Sequence, residues 1–319
     1  MTGALEGKHV VVTGGTGALG SAVVARLLDE GAICHVPNTH AAPPAHFPFA
    51  KHERVRLANN IYLADSAVTD TFYSQAPELW ASINLAGGFA RAPFEKTESA
   101  AFAEMMETNA RTTFLCSRAA VRMMHISNTA GRIVNMAARP GLDPRRGSGM
   151  VAYTASKAAV AAMTVALAEE VKARGILVNA VAPSTLETPA NREAMPDADF
   201  SKWVSLDAAA EVIVHLASPA NRAVSYNPDI AYAVYRVQAM EQDLAFEPWA
   251  RAGDTLVMAE NLAAEVMAAA KVAAFEKVEA IDCEGMVLAH PLADLDSGYG
   301  FQVPMLAGDH VTDDAGTGF

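Results

Sequence analysis

Apolar positions along this chain follow two different regimes, and the first alternates element types. His9 to Thr13 is a short β-branched run, followed at once by Gly14-Gly-Thr-Gly-Ala-Leu-Gly20 and by Ala22-Val-Val-Ala-Arg-Leu-Leu28 at helical spacing. That order predicts strand, glycine turn, helix. Ala32 to Val36, Trp80 to Leu85, Arg132 to Met136 and Ile176 to Val181 read as further strands, with helical patterns between them and another around Ala208 to Ser218. Short apolar runs alternating with helices predict a parallel sheet covered on both faces.

The regime changes after about residue 222. Ile230 to Val237 predicts a strand, Glu260 to Lys271 an Ala-rich amphipathic helix, and the rest short strands broken by Gly, Pro and Asp. The expected organisation is an α/β domain over 1–222 and a smaller α+β segment over 223–319.

Charge separates the same two regions. The 319 residues carry a net charge of -12; residues 1–218 hold 19 Lys and Arg against 20 Asp and Glu, and residues 219–319 hold 5 against 16. An acidic excess argues against nucleic acid or an anionic membrane as partner. With 51% apolar and 19% charged residues, a disordered chain is excluded. No run of eighteen apolar residues occurs and the first residues lack a signal-peptide pattern, so a cytoplasmic protein is expected. Cys34, Cys116 and Cys283 lie too far apart to suggest a disulfide framework or a cysteine zinc site. His35, His40, His46 and His52 match no common ligand spacing, so a surface loop and no metal are expected.

Two motifs carry chemistry. A glycine turn between strand and helix lets backbone N–H groups approach a pyrophosphate at the helix N-terminus. Tyr153-Thr-Ala-Ser-Lys157 puts a phenol and an ammonium one helical turn apart, where the cation can stabilise a phenolate.

Taken with Asn84-Leu-Ala-Gly87, Asn109, the strand Arg132-Ile-Val-Asn-Met136 and Asn179-Ala-Val-Ala-Pro-Ser-Thr-Leu-Glu-Thr188, these motifs make residues 1 to about 222 resemble the short-chain dehydrogenase/reductase family. The resemblance implies a Rossmann-type fold, NADP or NAD as cofactor, and hydride transfer to or from a small carbonyl or alcohol substrate. It casts Tyr153 as general acid/base, Lys157 as the group that binds the nicotinamide ribose and lowers the Tyr153 pKa, and Asn109 as holder of a relay water. Gly14, Gly17 and Gly20 would line the pyrophosphate, Asn84 and Gly87 the adenosine side, and Thr188 the carboxamide. The same resemblance puts Thr13, Leu19, Ala86, Pro183 and Leu186 in the cofactor-binding set. It further implies pairing of copies, as a homodimer or homotetramer, through the helix after Asn84 and the helix carrying Tyr153.

Three departures stand out. Ala18 occupies a position that is Gly in the commonest single-domain pattern of the family. Ala138 stands where the family's catalytic serine is expected, removing a donor worth about 2–4 kcal/mol to a developing oxyanion; Ser148 is the candidate replacement. The segment His35-Val-Pro-Asn-Thr-His40 lacks the acidic residue that an NAD-specific site places on the ribose, and no nearby Arg clearly accepts a 2′-phosphate.

The segment from Pro219 to Val237, with Ala289-His-Pro-Leu292 and Val303 to Phe319, resembles the editing domain of bacterial isoleucyl-tRNA synthetases, in an incomplete copy. That family's threonine-rich stretch is expected where Glu211 to Ser218 stands, and its His-Gly segment after Phe319. Asp309, Asp313 and Asp314 are what is left of its charged site. The fusion is expected to cost the dehydrogenase its last edge strand and to leave Val257, Met258, Val287 and Leu288 poorly covered. The alternatives to an enzyme are a non-catalytic dinucleotide-binding protein and a fused chain with an inactive aminoacyl-tRNA editing fragment.

Overall fold

The structure is a computed structural model that describes residues 3–222, 224–242, 248, 250–289 and 302–307. It divides into two units, Met1–Pro219 and Ala220–Phe319.

The first unit is built on β1 (His9–Thr13), β2 (Ile33–Pro37), β3 (Val55–Ala58), β4 (Leu79–Asn84), β5 (Arg132–Met136) and β6 (Leu177–Val181). All neighbours pair in parallel, in the order β3-β2-β1-β4-β5-β6. The strand order reverses between β1 and β4, which opens a crevice at their carboxyl ends. The sheet ends at β6 among the described residues, as a domain short of its last edge strand would.

Burial on both faces explains the apolar centres of β1 and β5, Val10–Val12 and Ile133–Val134. Val10, Val12, Val36, Ile83 and Val134 face α1 (Ala18–Asp29) and α8 (Leu206–Ala217), packing on Val24, Leu27 and Ile213. Val11, Leu79, Ile133 and Val178 face the other way, on Tyr73 of α2 (Ser66–Tyr73) and on Cys116, Ala120 and Met124 of α4 (Thr112–Ile126). The layer is completed by α3 (Ser99–Met105), α5 (Arg139–Leu142), α6 (Val151–Val171) and α7 (Pro189–Ala194). With the turn that follows it, α6 is the one helix among the described residues long and apolar enough to cross a membrane. Its inner face carries polar groups tied into the sheet: Thr164 Oγ1 accepts from Asn135 Nδ2 at 2.9 Å.

Two local readings need correction. β3 lies in a stretch with no predicted strand; it is a four-residue edge strand, only one of whose side chains is buried. His35 is no loop residue: it lies on β2, 5% exposed, with Nε2 2.8 Å from Nδ1 of His9. Burial brings its pKa down to about 4. His40, His46 and His52 are exposed, and no group of three metal-ligating side chains occurs among the described residues.

The second unit has two small sheets. β8 (Tyr232–Met240) pairs antiparallel with β9 (Thr255–Ala259) and with β10 (Val272–Ile281). Helix α9 (Ala263–Ala269) connects β9 to β10. β12 (Gln302–Ala307) runs antiparallel to β11 (Val287–Ala289) and parallel to β7 (Val224–Tyr226). The predicted helix over Glu260–Lys271 is thus shorter, because Glu260–Leu262 winds more tightly and Ala270 and Lys271 turn the chain into a ten-residue strand. Met258 is 2% exposed in a core with Tyr235, Met267 and Val272, so it is well covered; Val287 is 53% exposed. His290, Pro291, Leu292, Asp309, Asp313 and Asp314 lie outside the described residues.

Candidate functional site

The crevice above β1 and β4 holds a cleft of about 680 Å³. Its near wall is the glycine turn. Gly14 has φ +66°, and a Cβ on Gly20 would come within 2.1 Å of the Gly14 carbonyl oxygen, so the first turn of α1 packs on the loop as only glycine allows. No side chain caps α1, which leaves its first N–H groups for an anion. Gly14, Gly17, Ala18, Leu19 and Gly20 all line the cleft, and Ala18 opens the helix without filling it.

The floor is held by a buried polar network. Asn84 Nδ2 donates to Asn135 Oδ1 at 2.8 Å and to Ser117 Oγ at 3.2 Å, and Thr13 Oγ1 accepts from Ala86 N at 3.1 Å. Neither Asn84 nor Thr13 lines the cleft; both fix the β4 loop, of which Leu85, Ala86, Gly87, Gly88 and Phe89 do line it. Asn84 was expected on the adenosine side, and its amide is instead used up beneath the sheet.

Tyr153 and Lys157 stand at one end of the cleft, on α6, with Met136, Leu186 and Thr188. Lys157 is 5% exposed; its ammonium donates to Met136 O at 2.7 Å, and burial brings its pKa down to about 8. The Phe89 ring meets the Tyr153 ring edge-on at 5.0 Å, and burial pushes the phenol up. The expected lowering by Lys157 is absent in this geometry, because the ammonium is 6.0 Å from the ring centroid and engaged by Met136. The phenol is therefore held protonated, the form an acid requires.

Asn109 is fully buried in a wide π-type turn, Met106–Arg111, between α3 and α4. Its Nδ2 donates to Gly88 O at 3.1 Å and to Ser156 Oγ at 3.0 Å, and its Oδ1 accepts from Gly88 N at 3.0 Å. The wide turn brings the amide inward, and it ties the Gly87-Gly88 loop to α6.

Other expected residues do not reach the cleft. Pro183 does not line it, and neither does Ser148, which is exposed just after the Pro144–Gly147 turn. Ala138 itself is buried, 5% exposed, as the residue before α5. Sequence reasoning singled out the stretch holding Asn38 and Thr39 but missed Tyr62, Leu63, Glu107, Thr108 and Thr112, which also line the cleft, with Tyr62 donating a hydrogen bond to Glu107. These come from the loop after β3 and from the wide turn Met106–Arg111 running into α4, with no motif to link them.

Two sets of known proteins are similar to this chain. The second region matches isoleucine–tRNA ligases: 72% identity over 101 residues to that of Caulobacter vibrioides and 47% over 104 residues to that of Bradyrhizobium diazoefficiens, each match covering 32% of this chain. The chain spans only 10% of the length of those relatives. Among solved structures, a short chain dehydrogenase/reductase family protein is 28% identical with a TM-score of 0.62, over 68% of this chain and 92% of that one. ElxO with NADP bound is 22% identical with a TM-score of 0.61, over 67% and 92%; that likeness is one of fold. The short chain dehydrogenase family profile matches residues 8–199, more than half of the chain. The protein belongs to the short-chain dehydrogenase family.

Proposed function

We propose that this protein is an NAD(P)-dependent oxidoreductase that acts on a small carbonyl or alcohol. The observation that carries the reading is the convergence of Tyr153 and Lys157 on the end of a cleft whose other wall is the Gly14–Gly20 turn. The residues fit a dinucleotide: an uncapped helix N-terminus for the pyrophosphate, Gly20 pressed on the loop, and the half-buried Tyr153 beside the buried Lys157. When bound, the cofactor supplies or takes up the hydride.

The chain's own residues do the rest. Tyr153 delivers its proton to the reacting oxygen in reduction and removes it in oxidation. Lys157 holds the nicotinamide ribose and supplies positive charge beside the phenolate that forms. Asn109 keeps Gly88 and Ser156 in register, so that Phe89 bears on the Tyr153 ring. Thr188 and Leu186 close the nicotinamide end. Ala138 offers no donor to the substrate oxygen, so turnover rests on Tyr153 alone. Pro37, Asn38, Thr39 and His40 line the ribose end with no carboxylate from β2, a composition that suits NADP better than NAD.

Phe102 and Phe114 are 47% and 51% exposed on α3 and α4, and Val165 is 68% exposed on α6. Pairing of two copies through these helices would cover them, and sedimentation velocity reads the resulting mass. The second unit is proposed to have no deacylating activity toward aminoacyl-tRNA.

The decisive experiment is titration with NADPH and NADH followed by nicotinamide fluorescence. Saturable binding of NADPH, tighter than NADH, is expected. Absence of binding of both rejects the reading.

A further inference from the structure

The segments around Tyr153 carry charge that the proposed chemistry does not use. In a chain of net charge -12, residues 85–96 and 137–157 hold six Lys and Arg against two Asp and Glu. Asp143 is taken by Arg146 at 2.9 Å, and Lys157 is buried on Met136. Arg91 and Arg139 are exposed and have no carboxylate partner among the described residues. Elsewhere in the same unit Arg26, Arg54, Arg118, Arg122 and Arg192 sit in carboxylate pairs.

Both backbones are fixed next to the catalytic helix. Ala92 N donates to Gly149 O at 3.0 Å, and a Cβ on Gly149 would stand 3.5 Å from Arg91 Nε. Gly149 precedes α6 by one residue, and Phe89, two residues before Arg91, touches Tyr153. Arg139 follows Ala138 and opens α5, whose Gly141 is pressed on the backbone of Lys157 and Ala158, 2.7–2.9 Å from where its Cβ would be. Three guanidinium groups without a carboxylate partner among the described residues, Arg91, Arg139 and Arg145, thus stand on these stretches, the first two beside the contacts with Gly149 and α6 just described.

We propose that the substrate is a carbonyl compound bearing a carboxylate, and that Arg91 and Arg139 receive that carboxylate. The inference rests on the oxidoreductase reading and sharpens its substrate class. A guanidinium fork matches a carboxylate in charge and geometry, and an exposed arginine without an acidic neighbour is available for one. It also bears on Ala138: a substrate held by its carboxylate is oriented toward Tyr153 without a serine donor.

The test uses two acid and ester pairs, phenylglyoxylate with its methyl ester and 4-carboxybenzaldehyde with its methyl ester. Calorimetry on the NADPH-loaded protein is expected to show at least one acid binding about tenfold more tightly than its ester. In the Arg91→Gln, Arg139→Gln double variant that preference disappears, while NADPH affinity and ester affinity stay as in the parent. Equal binding of acid and ester in both pairs, binding of neither acid, or a preference that survives the double substitution overturns the proposal. Turnover is scored apart: an acid that binds by this criterion but is not reduced in a Tyr153-dependent manner counts against the oxidoreductase reading and leaves the anion site standing.

Discussion

The two units bury apolar surface by different rules. In Met1–Pro219 the central strands are covered on both faces, and Val10, Val12, Ile83 and Val134 are fully buried. The second unit uses antiparallel strands: β8 alternates buried and exposed positions toward its end, and β10 exposes most of its middle. Similarity runs the opposite way. The 72% identity belongs to the second region, while a 28% identical structure shares the fold that carries the cleft. High sequence identity and the cleft thus fall in different parts of this chain.

The sharpest way to break that contrast is to remove the phenol. Tyr153→Phe is expected to lower turnover by about 10³-fold while NADPH affinity stays at the parent level, since a general acid/base contributes on that order. Steady-state kinetics alongside fluorescence titration checks both. A variant with parental turnover would strip the first unit of its assigned chemistry and put both regions on the same footing. Next in size is Ala138→Ser. A restored donor near the reacting oxygen is expected to raise kcat by about 10²-fold. If neither the parent nor this variant turns over while NADPH still binds, the first unit is a dinucleotide-binding fold without catalysis, and the distinction between the regions becomes one of ligand only.

What the sequence made legible follows from the same burial rules. His9–Thr13 and Arg132–Met136 were readable to the residue, because Val10–Val12 and Ile133–Val134 must be apolar where a strand is buried on both faces. β3 was not, since Val55-Arg-Leu-Ala58 is half exposed and needs only one apolar anchor. In the site, the glycine turn and the Tyr153–Lys157 pair announce themselves by spacing. Asn84 and Thr13 do not reveal that they face inward, because the amide network with Ser117 and Asn135 joins residues 33 and 51 positions apart. Asn109 is legible as a residue, but its clamp on Gly88 depends on a wide turn that no local pattern specifies.

A core substitution tests whether the second unit stands apart. Met267 is fully buried among Ala233, Met258 and Val272, and Met267→Ala is expected to cost that unit roughly 2 to 5 kcal/mol. Calorimetric scans in the presence of NADPH should show the loss in one transition only. NADPH affinity should not change, because the cleft lining lies wholly between Gly14 and Thr188. A matching fall in NADPH affinity would show that the two regions are energetically one body.

The smallest effect sharpens the comparison through pH. Burial holds Lys157 at about 8, below the ordinary 10.5, and the side chain is 5% exposed, so solvent screening is slight. Between pH 8 and 10.5 the unfolded chain binds more protons at this position than the folded one, so its contribution to stability rises with pH across that window, by about 3 kcal/mol in total. Below pH 8 the ammonium is charged in both states and the folded protein bears the whole cost of burying it. Lys157→Met should remove the rise, so that the parent and variant unfolding free energies differ most at pH 7 and converge toward pH 10.5. Denaturant unfolding of the first unit at several pH values measures the difference directly, and parallel curves would contradict the assigned burial. Lys271 and Lys277 of the second unit sit at the surface beside Glu241 and Glu260, 40% and 43% exposed, so replacing either by Met should change that unit's stability by no more than about 1 kcal/mol. A lysine kept buried at such a cost belongs where its charge is used, next to a phenol that must lose and regain a proton.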